Sequence, residues 1–348
     1  MTQDPAPALR EGRRRFCLSL AWAPLLAAPL GVARAAAAQE RRYTIAFANL
    51  TEEPGSTLEG TGFTGPEVRS SFVLAARKHP LELVFYDNQR DAKKAQANAE
   101  DAIVRKVDLY IQYFSDPDAN AAIAARLKKA GIPVLAVNHP VPGAPLYTLD
   151  NLAAGRIAGD ALGEFAVRSW RGQPTVAAIV GAVEAKADRV PERVQGVIEG
   201  LRARLPAVKP VTLDTQGNAA RVAALLGKFL AGHPAAKVLV AATDDSTALA
   251  AKSALEQAGR TRDAAIASHG LDRTLHGGYS DKKEIDPNNR GSIVIGSVAF
   301  YLDRYGYDVL PLALAMLRGE GVPPRTVTRH LLVTAANVFI EYPPQDMN

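Results

Sequence analysis

The residues able to do chemistry in this 348-residue chain do not gather into a catalytic pattern. Its six histidines are His79, His139, His233, His269, His276 and His330, and no two stand three or four apart, as metal ligands on one helical face would. The only cysteine is Cys17. No Gly-x-Ser-x-Gly elbow and no His-Glu-x-x-His pair is present, and the glycines Gly55, Gly60, Gly62 and Gly65 are not followed by Lys-Ser/Thr. Without a nucleophile, metal or nucleotide constellation, catalysis is not expected, and neither is a metal or cofactor. What remains is a series of carboxylates and carboxamides: Asn49, Asp87-Asn88, Asn138-His139, Asp214, Thr243-Asp244-Asp245 and Asp272, each at the end of a short apolar run. Carboxylates accept hydrogen bonds and carboxamides both donate and accept. Such residues also favour turns for local backbone reasons. The same chemistry at several strand ends nevertheless points to a polar ligand.

The apolar runs that carry these groups read as strands over 43–49, 81–87, 109–114 and 134–138, and again over 175–180, 210–214, 238–242 and 264–268. Helical patterns lie between them, over 93–107 and 118–130, then 151–170, 187–204, 218–231 and 246–258. In the first, Ala95, Ala99, Ala102, Ile103 and Val107 share a face. The second stops at Gly131-Ile132-Pro133, a glycine stop followed by a proline. Strands alternating with helices of this length imply an α/β fold with parallel sheets covered on both faces. Two successive sets imply two similar domains. In such sheets ligands bind beyond the carboxyl ends of the strands, where the polar groups fall. Two long polar segments, 51–66 and 273–291, read as a functional loop and an exposed insertion.

The N-terminus reads as an address. Arg13-Arg14-Arg15 precedes an uncharged run over 16–32, and small residues follow over 33–38, broken only by Arg34. That is a secretory signal, expected over residues 1–38, with cleavage between Ala35 and Gln39 and a periplasmic destination. Pro24 and Pro29 make the run a poor membrane span. The stretch Arg13-Arg14-Arg15-Phe16-Cys17-Leu18 resembles a twin-arginine signal, and the general export route stays open beside it. Cleavage removes Cys17, so no disulfide or thiolate site is expected. Of 41 basic and 36 acidic residues, five and two precede residue 39; the remainder, 36 against 34, is a net +2 and gives no reason to expect nucleic-acid binding.

Four stretches resemble the periplasmic sugar-binding proteins of ABC transporters, the group of the ribose- and galactose-binding proteins. Asp150-Asn151-Leu152-Ala153-Ala154-Gly155-Arg156-Ile157-Ala158-Gly159 is similar to the family's Asp-Asn-x-x-Gly-x-x-Ala-Gly. Pro191-Glu192-Arg193-Val194-Gln195-Gly196 resembles its Arg-x-x-Gly helix start, Val240 to Leu249 its Ala-x-Asn-Asp-x-x-Ala-Leu turn, and His269-Gly270-Leu271-Asp272 its Gly-Phe-Asp. Order and spacing agree from about residue 43 to 335. The resemblance implies a type I periplasmic binding protein: two Rossmann-like lobes joined by three crossing strands. The first lobe would span 43–150 plus about 298–325, and the second 151–297 plus about 326–342. The related repressors are set aside, because no helix-turn-helix precedes the first strand.

The same resemblance implies a ligand site. Arg193 and Asp272 match ligand-contacting positions, and Asp244 stands where the family usually has a ligand-binding Asn, with Asp245 expected to cap the next helix. Asn138-His139 replaces an Asp-Arg pair, losing a permanent charge and a bidentate fork. Ser297 takes the place of a Gln near the return crossing. Asn49 ends the first strand, and Phe63 is the candidate for an aromatic ring missing there. Tyr113 and Phe114 are further aromatic candidates, while Trp170 reads as structural. The implied function is capture of a small polar, sugar-like ligand, by a monomer, for delivery to an ABC permease. A ligand sensor presenting itself to a receptor kinase is the alternative.

Overall fold

The computed structural model describes residues 42–184, 190–277, 283–289 and 291–343. The expected signal segment and the expected helix start at Ala187 lie outside the described residues, as does part of the 273–291 segment. In chain order the first elements are β1 (Tyr43–Asn49), α1 (Gly65–Ala76), β2 (Leu81–Asp87), α2 (Ala92–Val104), β3 (Leu109–Gln112), α3 (Pro117–Lys129), β4 (Val134–Val137) and β5 (Leu146–Thr148). Then come α4 (Asn151–Trp170), β6 (Thr175–Gly181), α5 (Glu192–Arg204), β7 (Val211–Asp214), α6 (Val222–Ala231), β8 (Lys237–Ala242), α7 (Asp245–Gln257), β9 (Ala264–Gly270), α8 (Arg273–His276) and β10 (Val294–Ala299). The chain ends with α9 (Tyr305–Leu317), β11 (Arg325–Val327), β12 (Leu332–Val333) and α10 (Val338–Glu341).

Local chemistry starts the helices. Asp91, Asp116, Asp150 and Asp244 each stand one residue before a helix and accept a hydrogen bond from the backbone N–H three residues on. This satisfies a donor that has no partner inside the helix. The strands between them are apolar on both faces, as buried parallel strands must be: Ile45, Ala46, Phe47 and Ala48 are all fully buried.

Two six-stranded sheets result, ordered β11-β5-β4-β3-β1-β2 and β12-β10-β9-β8-β6-β7. Every pairing is parallel except β10 with β12. Each sheet is covered by helices, so the fold is α/β with two Rossmann-like lobes. Strand order reverses between β1 and β3 in one sheet and between β6 and β8 in the other, which opens a crevice at the carboxyl ends of β1 and β6.

The chain changes sheets three times, after Thr148, after Ala299 and after Val327. The third crossing therefore runs between two short strands, β11 and β12, in different sheets. The crossings are tied together. Thr328 N–H donates to Thr148 O at 2.9 Å and Ala299 N–H to Leu331 O at 2.9 Å. His330 on the third crossing accepts from Asp150 N–H of the first through Nε2 at 3.0 Å. Its Nδ1 faces Ala299 O of the second at 3.0 Å. An N–H can only donate and a carbonyl only accept, so His330 here is the neutral imidazole protonated on Nδ1.

Candidate functional site

The first wall of the crevice is the segment after β1. Asn49 closes its base: Nδ2 donates to Gly65 O at 3.0 Å and Oδ1 accepts from Leu50 N–H at 3.0 Å. Further along, Leu58 N–H donates to Phe63 O at 2.8 Å, and both side chains are buried in the core under the first sheet. The residues between, Glu59 to Gly62, form a tip. Glu59 and Gly60 both adopt left-handed backbone, at φ 55° and 61°. For Glu59 that conformation is disfavoured, because its Cβ crowds the following carbonyl. Its carboxylate holds it there. Oε1 accepts from the Tyr113 hydroxyl at 2.6 Å, beyond β3, and lies 3.3 Å from His139 Nε2, beyond β4. Burial alone would raise the Glu59 carboxyl. The hydrogen bond and charge of His139, with the Tyr113 hydroxyl and Asn138 amide, outweigh it and hold the group below its ordinary value.

The second wall is built by strand ends and helix starts of the other sheet. Arg193, in the first turn of α5, is buried. Nε and Nη2 both donate to Asn151 Oδ1, at 3.1 and 2.9 Å, Nη1 donates to Thr243 O at 2.5 Å, and Phe300 lies under the guanidinium at 4.5 Å. The remaining bonds cross the crevice: Nη1 to Gly60 O at 2.9 Å and Nη2 to Glu59 O at 3.0 Å. All five N–H groups of the fork are then used. Burial pulls Arg193 down to about 10 against the charges of Asp244, Glu59 and Asp245, so it stays cationic at neutral pH.

Beyond β8, Asp244 caps α7, accepting from Thr247 N–H at 2.8 Å and from the hydroxyls of Ser246 and Thr247 at 2.7 and 2.8 Å. Asp245 lies behind it, fully buried. It accepts from Ser268 at 2.6 Å, Ser297 at 2.8 Å and Asp272 N–H at 2.7 Å. Burial, with the Asp272 charge second, pushes the Asp245 carboxyl well above its ordinary value. Asp272, beyond β9, receives two bonds from Thr274 on Oδ1, while buried Oδ2 has no hydrogen-bond partner. Burial raises its pKa as well.

Between the walls lies a cavity of about 730 Å³ lined by Glu59–Gly62, Asn151, Arg193, Asp244, Asp272 and their neighbours. A second hollow of about 690 Å³, between α3 and the turn at Pro142–Ala144, is lined by small apolar residues and Lys128. It lacks the convergent polar groups of the crevice. Among the described residues no group of three or more His, Asp or Glu side chains is arranged to hold a metal ion. No described helix is long and apolar enough to cross a membrane.

Residues 61–320 match the family model of the periplasmic binding protein domain. The chain belongs to that family. Solved structures with the same fold include a Mycobacterium smegmatis protein in complex with β-D-fucofuranose, 21% identical, with 88% of this chain and 95% of that one covered and a TM-score of 0.62. A sugar-binding protein of a Bacillus halodurans sugar ABC transporter is 19% identical over 86% of this chain and 100% of its own, at a TM-score of 0.66. An ABC transporter solute-binding protein from Bacillus halodurans with bound myo-inositol is 19% identical, with 87% and 97% covered and a TM-score of 0.61. No match is found among the curated proteins.

In this periplasmic binding protein the expected site residues divide. Arg193, Asp244 and Asp272 line the cavity, and His139 and Asn138 stand behind Glu59. Three other expected ligand contacts do not line the cavity. Asn49 is fully buried and engaged in closing the loop base; Phe63 is a core anchor at 1% exposure; Ser297 is fully buried, donating to Asp245 and accepting from Leu271 N–H. The expected cap of α7 is also corrected: Asp244 caps the helix, and Asp245 is the buried carboxyl behind it. Glu59 and Asn151 are the groups sequence reasoning missed as site members. Asn151 stood in a quoted motif, but Glu59 is one acid in a polar loop, and only the folded chain joins it to Tyr113 and His139. Gly60, Gly62 and Gly65 do fall at the spacing of dinucleotide-binding glycines. They stand well past β1 rather than in its turn, and they serve close packing instead: a Cβ on Gly62 would lie 1.7 Å from Asp272 Oδ2, and one on Gly65 1.7 Å from Thr51 O.

Proposed function

We propose that this chain is an exported solute-binding protein that closes its two lobes on a small polyhydroxylated ligand, a sugar or polyol, and delivers it to an ABC permease. The observation that carries this reading is the convergence of Arg193, Asp244 and Asp272, from three separate segments of the second lobe, on one cavity facing Glu59 of the first, with His139 behind it. A hydroxyl both donates and accepts, so a ring of them suits a site that sets a guanidinium beside carboxylates. Closure needs no chemistry. The ligand contacts both walls only when they approach, so it favours the closed form by that difference in affinity. The sugar and inositol held by the solved relatives support the ligand class, and the arginine-led N-terminal segment supports export.

The test is a thermal-shift screen of the mature chain from Gln39 against sugars, sugar acids and polyols. A ligand at 100 times its dissociation constant adds about 2.7 kcal/mol, which raises the melting temperature by several degrees. A folded, ligand-free preparation that no member of the panel stabilises overturns the reading.

A further inference from the structure

The tip between Leu58 and Phe63 lines the cavity and bridges its two walls. It rests on the first wall through the Glu59 carboxylate, held by Tyr113 and His139. It reaches the second wall through two backbone carbonyls, Glu59 O and Gly60 O, which take the two Arg193 donors that point across the crevice. Gly62 lies against Asp272, so close that a Cβ there would sit 1.7 Å from Oδ2. The same short segment therefore spans both walls and lies against two charged groups of the second, Arg193 and Asp272.

The tip matches one of those groups and not the other. Arg193 receives good acceptors. Asp272 Oδ2 is buried against an α-carbon that offers no N–H or O–H, and it is left without a partner. A buried carboxylate oxygen in that state is destabilising. The left-handed Glu59 adds backbone strain at the same point. A tip that fills the site imperfectly is poised to be displaced by a molecule that does better.

We propose that Glu59–Gly62 is a tethered occupant of the ligand site: it docks on Arg193 and Asp272 when the lobes close without ligand, and a ligand binds by displacing it, bringing acceptors to Arg193 and a hydroxyl donor to Asp272. This rests on the solute-binding reading for its second half only. The docked, ligand-free closed form stands on the tip's own contacts. Leu58 and Phe63 stay in the core, so the displacement is local to the four residues between them. The occupant sets a threshold, because ligand affinity is reduced in proportion to the fraction of molecules whose site is already filled.

Gly62→Ala separates the possibilities. The three atoms nearest the added methyl all belong to the Asp272 side chain across the crevice, at 1.7 to 3.2 Å, so the substitution is expected to oppose docking at that contact. Gly227→Ala, on α6 with open space around it, is the control for the substitution itself. Small-angle scattering of the ligand-free mature chain is expected to give a compact form for the wild type and for Gly227→Ala, and a larger radius of gyration for Gly62→Ala. Titration with D-fucose and myo-inositol is expected to show tighter binding by Gly62→Ala, by about tenfold if nine-tenths of the wild type is docked. Identical radii for wild type and Gly62→Ala overturn the proposal, as does weaker probe binding by Gly62→Ala, which would make the tip a ligand contact. If neither protein binds either probe, the scattering alone decides the docked tip, and it is the ligand class under the solute-binding reading that fails.

Discussion

Arg193 ties the second wall together and bridges it to the first by donor arithmetic. Five N–H groups meet Asn151 twice and the carbonyls of Thr243, Gly60 and Glu59 once each, the Thr243 bond buried and the others partly so. A lysine keeps the charge but has three donors from one point and no planar fork. Arg193→Lys is therefore expected to leave buried acceptors unmatched and to lower stability by about 2–4 kcal/mol, read from chemical denaturation. A loss well under 1 kcal/mol would mean that the surrounding acceptors reach water, against the burial described above. At this scale the sequence was informative for Arg193, at a helix start, and Asp272, just beyond a strand, which both line the cavity. It misled where a neighbour one residue away could take the same part. Asp244 and Asp245 are chemically alike, and only the inward turn of the chain beyond β8 decides which caps the helix and which is buried. Asn49, Phe63 and Ser297 were of suitable type, but their burial, Asn49 against Gly65 at the loop base and Ser297 against Asp245, is set by contacts that periodicity does not reveal.

The helices α4 and α5 place Arg193 through glycine. A Cβ on Gly155 would lie 2.1 Å from Arg193 O, one on Gly159 2.3 Å from Val197 O, and one on Gly196 2.2 Å from Leu152 O, so the two backbones touch. That contact brings Asn151, at the start of α4, within reach of Arg193, at the start of α5. Gly155→Ala is expected to force the helices apart at the site end and to cost about 1–3 kcal/mol by overpacking. It should also weaken ligand binding, because Arg193 moves with the backbone it sits on. Gly200→Ala, whose Cβ would lie 2.3 Å from Arg156 O in the next turn, is expected to lower stability with a smaller effect on binding. Denaturation and titration of the two variants check this, and equal binding losses would unlink the Gly155 contact from the site. Most elements were legible because their periods are clear: β1, β2 and α4 have the expected limits. α9 was not, since Tyr305–Leu317 is apolar nearly all round and carries Pro311 inside the helix, on an exposed face where the missing N–H is tolerated. β5 and β12 have three and two residues, too short for any alternation to register.

At the scale of the whole molecule, the proposed closing and opening would turn on the three crossings, and His330 on the third bonds to the other two. Its hydrogen bonds require the neutral ring, and burial lowers its pKa, with the charge of Arg193 adding to the effect and Ala299 O and Asp150 opposing it. The sign follows from proton counting. A histidine whose folded pKa is depressed binds fewer protons folded than unfolded below the ordinary value of about 6.5. Its stabilising contribution is complete above that pH and is lost as pH falls towards the folded value. His269, lowered to about 3 mainly by burial, and His276, lowered to about 4 mainly by burial, act in the same direction. Asp303, raised to about 6 by burial, and the raised Asp245 and Asp272 act oppositely, because they hold protons in the fold that the unfolded chain has shed. The total pH profile mixes these, so the hinge is isolated by a difference. Glutamine offers Ala299 O a donor and Asp150 N–H an acceptor without titrating. The stability advantage of wild type over His330→Gln is expected to be constant above pH 6.5. It should shrink below that by up to about 1.4 kcal/mol per pH unit, measured by urea unfolding at matched ionic strength. Parallel curves for the two proteins from pH 7.5 to pH 4.5 would mean that the crossings hold His330 equally well in either charge state, and the neutral bridge would then be only one of its arrangements.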